Sequence, residues 1–239
     1  IKVGVIVGAE QQVAEVAQKV AKEKYGLDVE LVTFNDYVLP NEALSKGDID
    51  VNAFQHKPYL DQQIKDRGYK LVSVGNSFVY PIAGYSKKIK SLDELQPGSQ
   101  VAIPNDPTNL GRSLLLLQQV GLIKLKEGVG LLPTSLDIVE NTKNLKIVEL
   151  EAPQLPRSLD DAQIALAVIN TTYASQIGLT PAKDGIFVEG KESPYVNLIV
   201  AREDNKDAEN VKKFVQAYQS DEVYEAANKI FNGGAVKGW

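Results

Sequence analysis

The chain has 239 residues, enough for one large domain or for two lobes of about 100 to 120 residues each. With 26 basic against 31 acidic residues and a net charge of −5, it has no positive excess to neutralise phosphates, which argues against nucleic acid and anionic membrane surfaces as partners. Cysteine is absent and histidine occurs once, which removes disulfides, thiolate nucleophiles, sulfur metal ligands and multi-histidine metal sites.

The first seven residues, Ile1-Lys2-Val3-Gly4-Val5-Ile6-Val7, read as a buried strand, and after Gly8 the residues Val13, Val16, Ala17, Val20 and Ala21 fall at helical spacing. A second strand is predicted over residues 29–34 and a short helix over 41–46, stopped by Gly47. A third strand follows over residues 48–54, with a helix running on to Lys65. Residues 71–85 form a long strand-like run interrupted by Pro81 and Gly84, as expected of a strand that leaves one sheet and enters another. A second series then begins, with strand 100–103, helix 107–120, strand 145–150, a helical turn over 159–163 and strand 164–169. Residues 195–201 read as a return strand, and two amphipathic helices close the chain, one presenting Val211, Phe214, Val215 and Tyr218, the other Val223, Ala226, Ala227 and Ile230.

Strand and helix alternate throughout, the pattern of α/β folds with a mainly parallel sheet covered by helices. The expected organisation is two lobes, residues 1–82 plus 196–239 and residues 83–195, each a sheet flanked by helices and joined by two hinge strands. The chain opens on a strand without an initiator methionine, so whatever preceded it is expected to have been processed or cut away, which leaves room for a signal or lipid anchor there.

In open α/β sheets, ligands bind beyond the carboxyl ends of strands, where a helix N-terminus offers unpaired N–H groups to an anion. The segment Asn105-Asp106-Pro107-Thr108-Asn109-Leu110-Gly111-Arg112 occupies such a place. Asp106 suits the N-cap and Pro107 the first helical position. Arg112 is either a bidentate grip on a ligand carboxylate or a surface arginine of an amphipathic helix. Tyr37, Phe54 and Tyr59 gather near strand ends, either as core or as the lining of an apolar pocket. His56 alone is more often a hydrogen-bonded structural histidine than a ligand contact. Asn170, after the 164–169 strand, is a helix cap or an acceptor for a ligand ammonium, and Asn197 is an amide among apolar strand residues that needs a polar partner if buried.

The chain contains no G-x-G-x-x-G, P-loop, G-x-S-x-G or H-E-x-x-H pattern. Acid pairs such as Asp160-Asp161 and Asp221-Glu222 are adjacent and point apart, as solvated charges at helix starts do. Neither catalytic residues nor a cofactor are therefore expected.

Four segments, Lys2-Val3-Gly4-Val5, Asp50-Val51-Asn52-Ala53-Phe54-Gln55-His56, Ile103-Pro104-Asn105-Asp106-Pro107-Thr108-Asn109 and Leu166-Ala167-Val168-Ile169-Asn170, closely resemble the NlpA lipoprotein family, the methionine-binding lipoproteins of bacterial methionine ABC importers. The resemblance covers essentially the whole chain. It implies a two-lobed periplasmic-binding-protein fold that closes around L-methionine without chemistry, D-methionine or a methionine derivative being alternatives. It also implies delivery to a permease with its ATPase, and a lipidated cysteine, preceding Ile1, that holds the protein at the periplasmic face of the inner membrane. By the same resemblance, Arg112 pairs with the ligand carboxylate with Asn109 nearby. Tyr37, Phe54 and Tyr59, with His56 beside them, enclose the thioether side chain, and Asn170 and Asn197 contact the head group. Rival readings are the effector domain of a transcription regulator, a binder of another small amino acid, or an enzyme. The absence of any nucleophile-base-acid set argues against the enzyme.

Overall fold

The computed structural model describes residues 1–190 and 192–239. They divide into two compact units, one formed by Ile1–Tyr80 with residues 192–239 and the other by Pro81–Gly190.

The first unit begins with β1 (Lys2–Ile6), α1 (Ala9–Tyr25), β2 (Glu30–Phe34), α2 (Leu39–Lys46), β3 (Val51–Asn52), α3 (Lys57–Arg67) and β4 (Leu71–Val79). The second unit contains β5 (Ala83–Tyr85), β6 (Gln100–Pro104), α4 (Pro107–Gln119), β7 (Lys124–Leu125), β8 (Ile138–Glu140), β9 (Lys146–Leu150), α5 (Leu155–Ser158), β10 (Ile164–Ile169), α6 (Thr171–Ala174), α7 (Pro181–Asp184) and β11 (Phe187–Val188). The chain then returns to the first unit for β12 (Val196–Arg202), α8 (Glu209–Tyr218), α9 (Asp221–Ile230) and β13 (Val236–Lys237).

The first sheet has the order β13-β4-β12-β3-β1-β2, the second β11-β5-β10-β6-β9. Parallel pairing is confined to β2-β1-β3 in one and β10-β6-β9 in the other, the strands linked by helical crossovers. Strands that enter or leave a unit pair antiparallel, β12 with β3 and β4 and β5 with β10 and β11, and the C-terminal β13 also pairs antiparallel with β4. Strand-helix alternation thus gives the parallel half of each sheet, and the antiparallel half comes from the crossing strands together with the C-terminal β13.

Helices cover the first sheet because their apolar positions recur every three to four residues. Val13, Ala14, Ala17, Val20 and Ala21 of α1 bury against Val211, Phe214 and Ala217 of α8 and Val223 and Ala227 of α9. A separate cluster joins Leu44 and Leu60 of α2 and α3 to Leu198 and Val200 of β12. In the second unit, Leu110, Leu114 and Leu117 of α4 pack on Val101 and Ile103 of β6 and Leu166 and Val168 of β10. Burying each such valine, leucine, isoleucine or phenylalanine side chain contributes roughly 1.5–3 kcal/mol.

Several local expectations are corrected. The strand expected over 48–54 is regular only at Val51–Asn52, because the chain turns off the sheet at Gln55, whose carbonyl accepts from the Leu198 N–H of β12 at 2.8 Å, and enters α3. The helical turn expected over 159–163 lies earlier, at Leu155–Ser158, where Pro156 suits the first turn, and 159–163 is a turn closed by Asp161 N–H to the Ser158 carbonyl. The run 71–85 does switch sheets, but it breaks only at Tyr80-Pro81-Ile82, where Pro81 has no N–H to offer a ladder. Gly84, expected as a second interruption, lies inside β5, where a Cβ would come within 2.3 Å of the Phe187 ring on β11. The short β7, β8, β11 and β13 carry too few residues to show a period.

Candidate functional site

In the first unit, the segment after β3 is held by a closed set of amides. Asn41 Nδ2 donates to Gln55 Oε1 at 2.9 Å, Gln55 Nε2 donates to Asn41 Oδ1 at 2.8 Å and Asn52 Oδ1 at 3.0 Å, and Asn52 Nδ2 donates to Asn41 Oδ1 at 3.0 Å. All three side chains are buried, and every amide oxygen accepts while every NH2 donates, as burial demands. The set fixes Gln55, and with it the backbone from which Phe54 and His56 project.

His56 is the N-cap of α3, its Nδ1 accepting the Tyr59 N–H at 3.1 Å. A ring that accepts at Nδ1 carries its proton at Nε2 when neutral. The ring meets Tyr195 edge-on at 5.0 Å between centroids, and its backbone bridges Asn197 of β12 in antiparallel register. Tyr37, Phe54 and Tyr59 form a triangle with centroid separations of 5.9, 5.9 and 6.1 Å. Tyr59 Oη donates to the Tyr37 carbonyl at 2.9 Å, tying the β2–α2 loop to α3. Phe54 and Tyr59 are buried, while Tyr37 and Asn197 are half-buried.

In the second unit, β6 ends at Pro104 and Asp106 caps α4, its carboxylate accepting the Asn109 N–H at 3.2 Å, with Pro107 in the first turn. The same carboxylate accepts Asn109 Nδ2 at 3.1 and 3.0 Å and the Thr108 hydroxyl at 3.2 Å. Desolvation pushes the Asp106 carboxyl above its ordinary value, against the downward pull of the Asn109 and Thr108 hydrogen bonds. Asn109 Oδ1 in turn accepts Asn170 Nδ2 at 3.1 Å, and the buried Asn170 Oδ1 has no partner among the described residues. Asn170 is at the N-cap position of α6, yet its side chain makes no cap bond.

Arg112 shares a face of α4 with Asn109, three residues apart, and is only 4% exposed, so it is not a surface arginine. Its Nε and Nη2 donate to the Glu189 carboxylate at 3.0 and 2.6 Å, in a bidentate pair. Glu189 follows β11 and is tied to the sheet by its N–H, which donates to the Ile82 carbonyl at 2.9 Å. Gly111 lets the Leu131 carbonyl approach α4, since a Cβ there would lie 2.3 Å from that oxygen.

The structure therefore gathers Tyr37, Phe54, His56, Tyr59 and Asn197 in the first unit, and Asn109, Arg112 and Asn170 in the second. Sequence reasoning missed Glu189, Tyr195 and the amides of Asn41, Asn52 and Gln55, and it gave Asp106 a capping role alone. Glu189 lies 77 residues from Arg112, and no local pattern links them. Gln55 was legible in principle, as an amide between two aromatic residues at the end of a buried strand. Chemically, the second-unit set offers a cation and an unpaired acceptor, and the first-unit set offers aromatic surface. Among the described residues, no cluster of His, Cys, Asp or Glu is placed to hold a metal ion, and no helix is long and apolar enough to cross a membrane.

Comparison with known proteins gives concordant matches over the full length. The family model described as NlpA lipoprotein matches residues 1–239. The D-methionine-binding lipoprotein MetQ of Yersinia pestis is 94% identical over 239 residues, covering 100% of this chain and 88% of the relative. The crystal structure of a methionine-binding protein, MetQ, is 94% identical and superposes with a TM-score of 0.99, covering 100% of this chain and 98% of that one. A nutrient-binding protein from Burkholderia cenocepacia, solved bound to methionine, is 55% identical with a TM-score of 0.96 and full coverage of both chains.

Proposed function

The chain belongs to the NlpA lipoprotein family, and on that premise we propose that it binds methionine outside the cytoplasm and delivers it to an ABC import permease and its ATPase. It does no chemistry on the ligand. Tethering to the periplasmic face of the inner membrane through an N-terminal lipid is part of the same reading, supported by the lipoprotein family and by relatives named as lipoproteins. Methionine as ligand is supported by the relatives' names and by the methionine-bound homologue.

The single observation that carries the assignment of residues is the second-unit pair of a buried guanidinium and an unpartnered buried amide oxygen. A zwitterionic amino acid needs both, because each of its charges must be paired when water is excluded. In this reading Arg112 takes the carboxylate, with Glu189 fixing the plane of its guanidinium and Asn109 bonded alongside. Asn170 and Asn197 accept from the ammonium through their oxygens. The rings of Tyr37, Phe54 and Tyr59, with His56 beside them, take the apolar side chain, where a thioether packs favourably against aromatic faces.

Titration calorimetry with L-methionine and D-methionine, together with mass spectrometry of ligand released from freshly purified, denatured protein, tests the reading. Saturable heat with methionine, and methionine recovered unchanged after long incubation, are the expected results. Absence of heat with both enantiomers overturns it.

A further inference from the structure

We propose that Asp106 is a positioning residue whose carboxylate sets the amide orientation of Asn109 and, through Asn109, that of Asn170, so that the site presents an acceptor oxygen to its ligand. The inference rests on the amino-acid reading above and adds to it the device that chooses between an ammonium-seeking and a carboxylate-seeking amide.

The two ends of an asparagine amide are nearly the same in shape and opposite in hydrogen-bonding sense, so a buried asparagine can present either a donor or an acceptor. Its neighbours decide. An ionised carboxylate only accepts, so the Asn109 nitrogen turns toward Asp106, at 3.1 and 3.0 Å from its two oxygens. The Asn109 oxygen then faces the other way and takes the Asn170 nitrogen at 3.1 Å. That leaves the Asn170 oxygen as the terminus, buried and without a partner among the described residues. If Asn109 were reversed, Asn170 would have to reverse as well, and the site would offer an NH2 group to a ligand ammonium. A hydrogen-bonded chain anchored on an anion is also polarised toward a cation at its far end. Asp106 is itself held rigidly, by the Asn109 N–H and the Thr108 hydroxyl at 3.2 Å each.

Helix capping is the rival explanation for Asp106, and Asp106→Asn separates the two. Asparagine caps a helix as well as aspartate does, but its side chain both donates and accepts and so no longer dictates the relay. The probes are methionine and its des-amino analogue, 4-(methylthio)butanoate, which keeps the carboxylate and thioether and lacks the ammonium. Asp106→Asn should weaken methionine about tenfold to a hundredfold and shift the analogue by less than about threefold, because only the ammonium uses the relay. Equal losses for both ligands, or no loss for methionine, overturn the proposal. Asp106→Ser, which also caps and also both donates and accepts, should behave as Asp106→Asn does. A ligand-free arm reads the side-chain NH2 resonances of Asn109 and Asn170, which should move in Asp106→Asn while the backbone resonances of α4 stay in place. Unmoved resonances overturn the relay whether or not methionine binds. A wild-type protein that binds neither probe while the resonances do move overturns the amino-acid reading and leaves the relay standing.

Discussion

Arg112→Ala is the perturbation whose consequences follow most directly from the geometry. The substitution removes a guanidinium that is 4% exposed and leaves Glu189, 11% exposed, facing the vacated space. Breaking a buried pair by deleting one partner costs about 3–5 kcal/mol in folding, because the remaining charge stays desolvated and uncompensated. On the proposed reading, the same truncation also removes the partner of the ligand carboxylate, worth about 3–4 kcal/mol, or roughly a hundredfold to a thousandfold in methionine affinity. These two losses are separable. The double variant Arg112→Met/Glu189→Gln replaces the ion pair with a neutral pair of similar volume and should recover most of the folding stability while leaving the affinity lost. Urea denaturation gives the first quantity and titration calorimetry the second. Wild-type methionine affinity in Arg112→Ala, or in the double variant, refutes the assignment of Arg112 to the carboxylate.

Gln55→Leu should destabilise the protein by about 1–3 kcal/mol in urea melts, because it orphans the Asn41 and Asn52 amides to which Gln55 bonds. Gly111→Ala should cost about 1–3 kcal/mol on the same assay, since the new Cβ meets the Leu131 carbonyl at 2.3 Å and must push residues 131–133 off α4. The carboxyl of Asp106 is raised, chiefly by desolvation, so its folded-state pKa lies above its unfolded value. The ionised form therefore opposes folding, and the effect is fully present above the folded pKa and absent below the unfolded one, about 3.9. Asp106→Asn should accordingly match or exceed wild-type stability at neutral pH, with the difference shrinking as pH falls through the acid range; a stability deficit at pH 7 that persists at pH 3 would contradict this sign.

Much of the fold was legible because it is written in local periods and caps. Helix α4 was readable from Asp106 and Pro107 followed by an apolar run, and α1 from valines and alanines at helical spacing. What escaped has a common physical cause. Two-residue strands such as β11 have no measurable period, and Glu189, which β11 delivers to Arg112, is defined only by a contact across 77 positions of sequence. The antiparallel half of each sheet depends on where the chain crosses between units, and the local pattern of β12 is the same for either pairing sense. At the candidate site, residue types were legible and hydrogen-bond wiring was not. Asn170 was readable as either a cap or an acceptor, and only its bond to Asn109 shows which end of the amide is left open.

The same residue type is wired in opposite ways in the two units. In the first, Asn41, Asn52 and Gln55 close on one another, and no amide atom of the set is left over. Such a set, with Asn52 Nδ2 also donating to the Pro40 carbonyl, rigidifies the segment that carries Phe54 and His56. In the second unit the chain of amides starts on a carboxylate, which can only accept, and each amide passes the orientation on to the next. It must therefore end on an acceptor, and the acceptor it ends on is buried and unpaired. On the proposed reading, a ligand that brings a charged donor satisfies that acceptor, which favours an amino acid over the same molecule without its ammonium. The composition of the two sets, asparagine and glutamine beside apolar strand ends, does not distinguish the closed wiring from the open one.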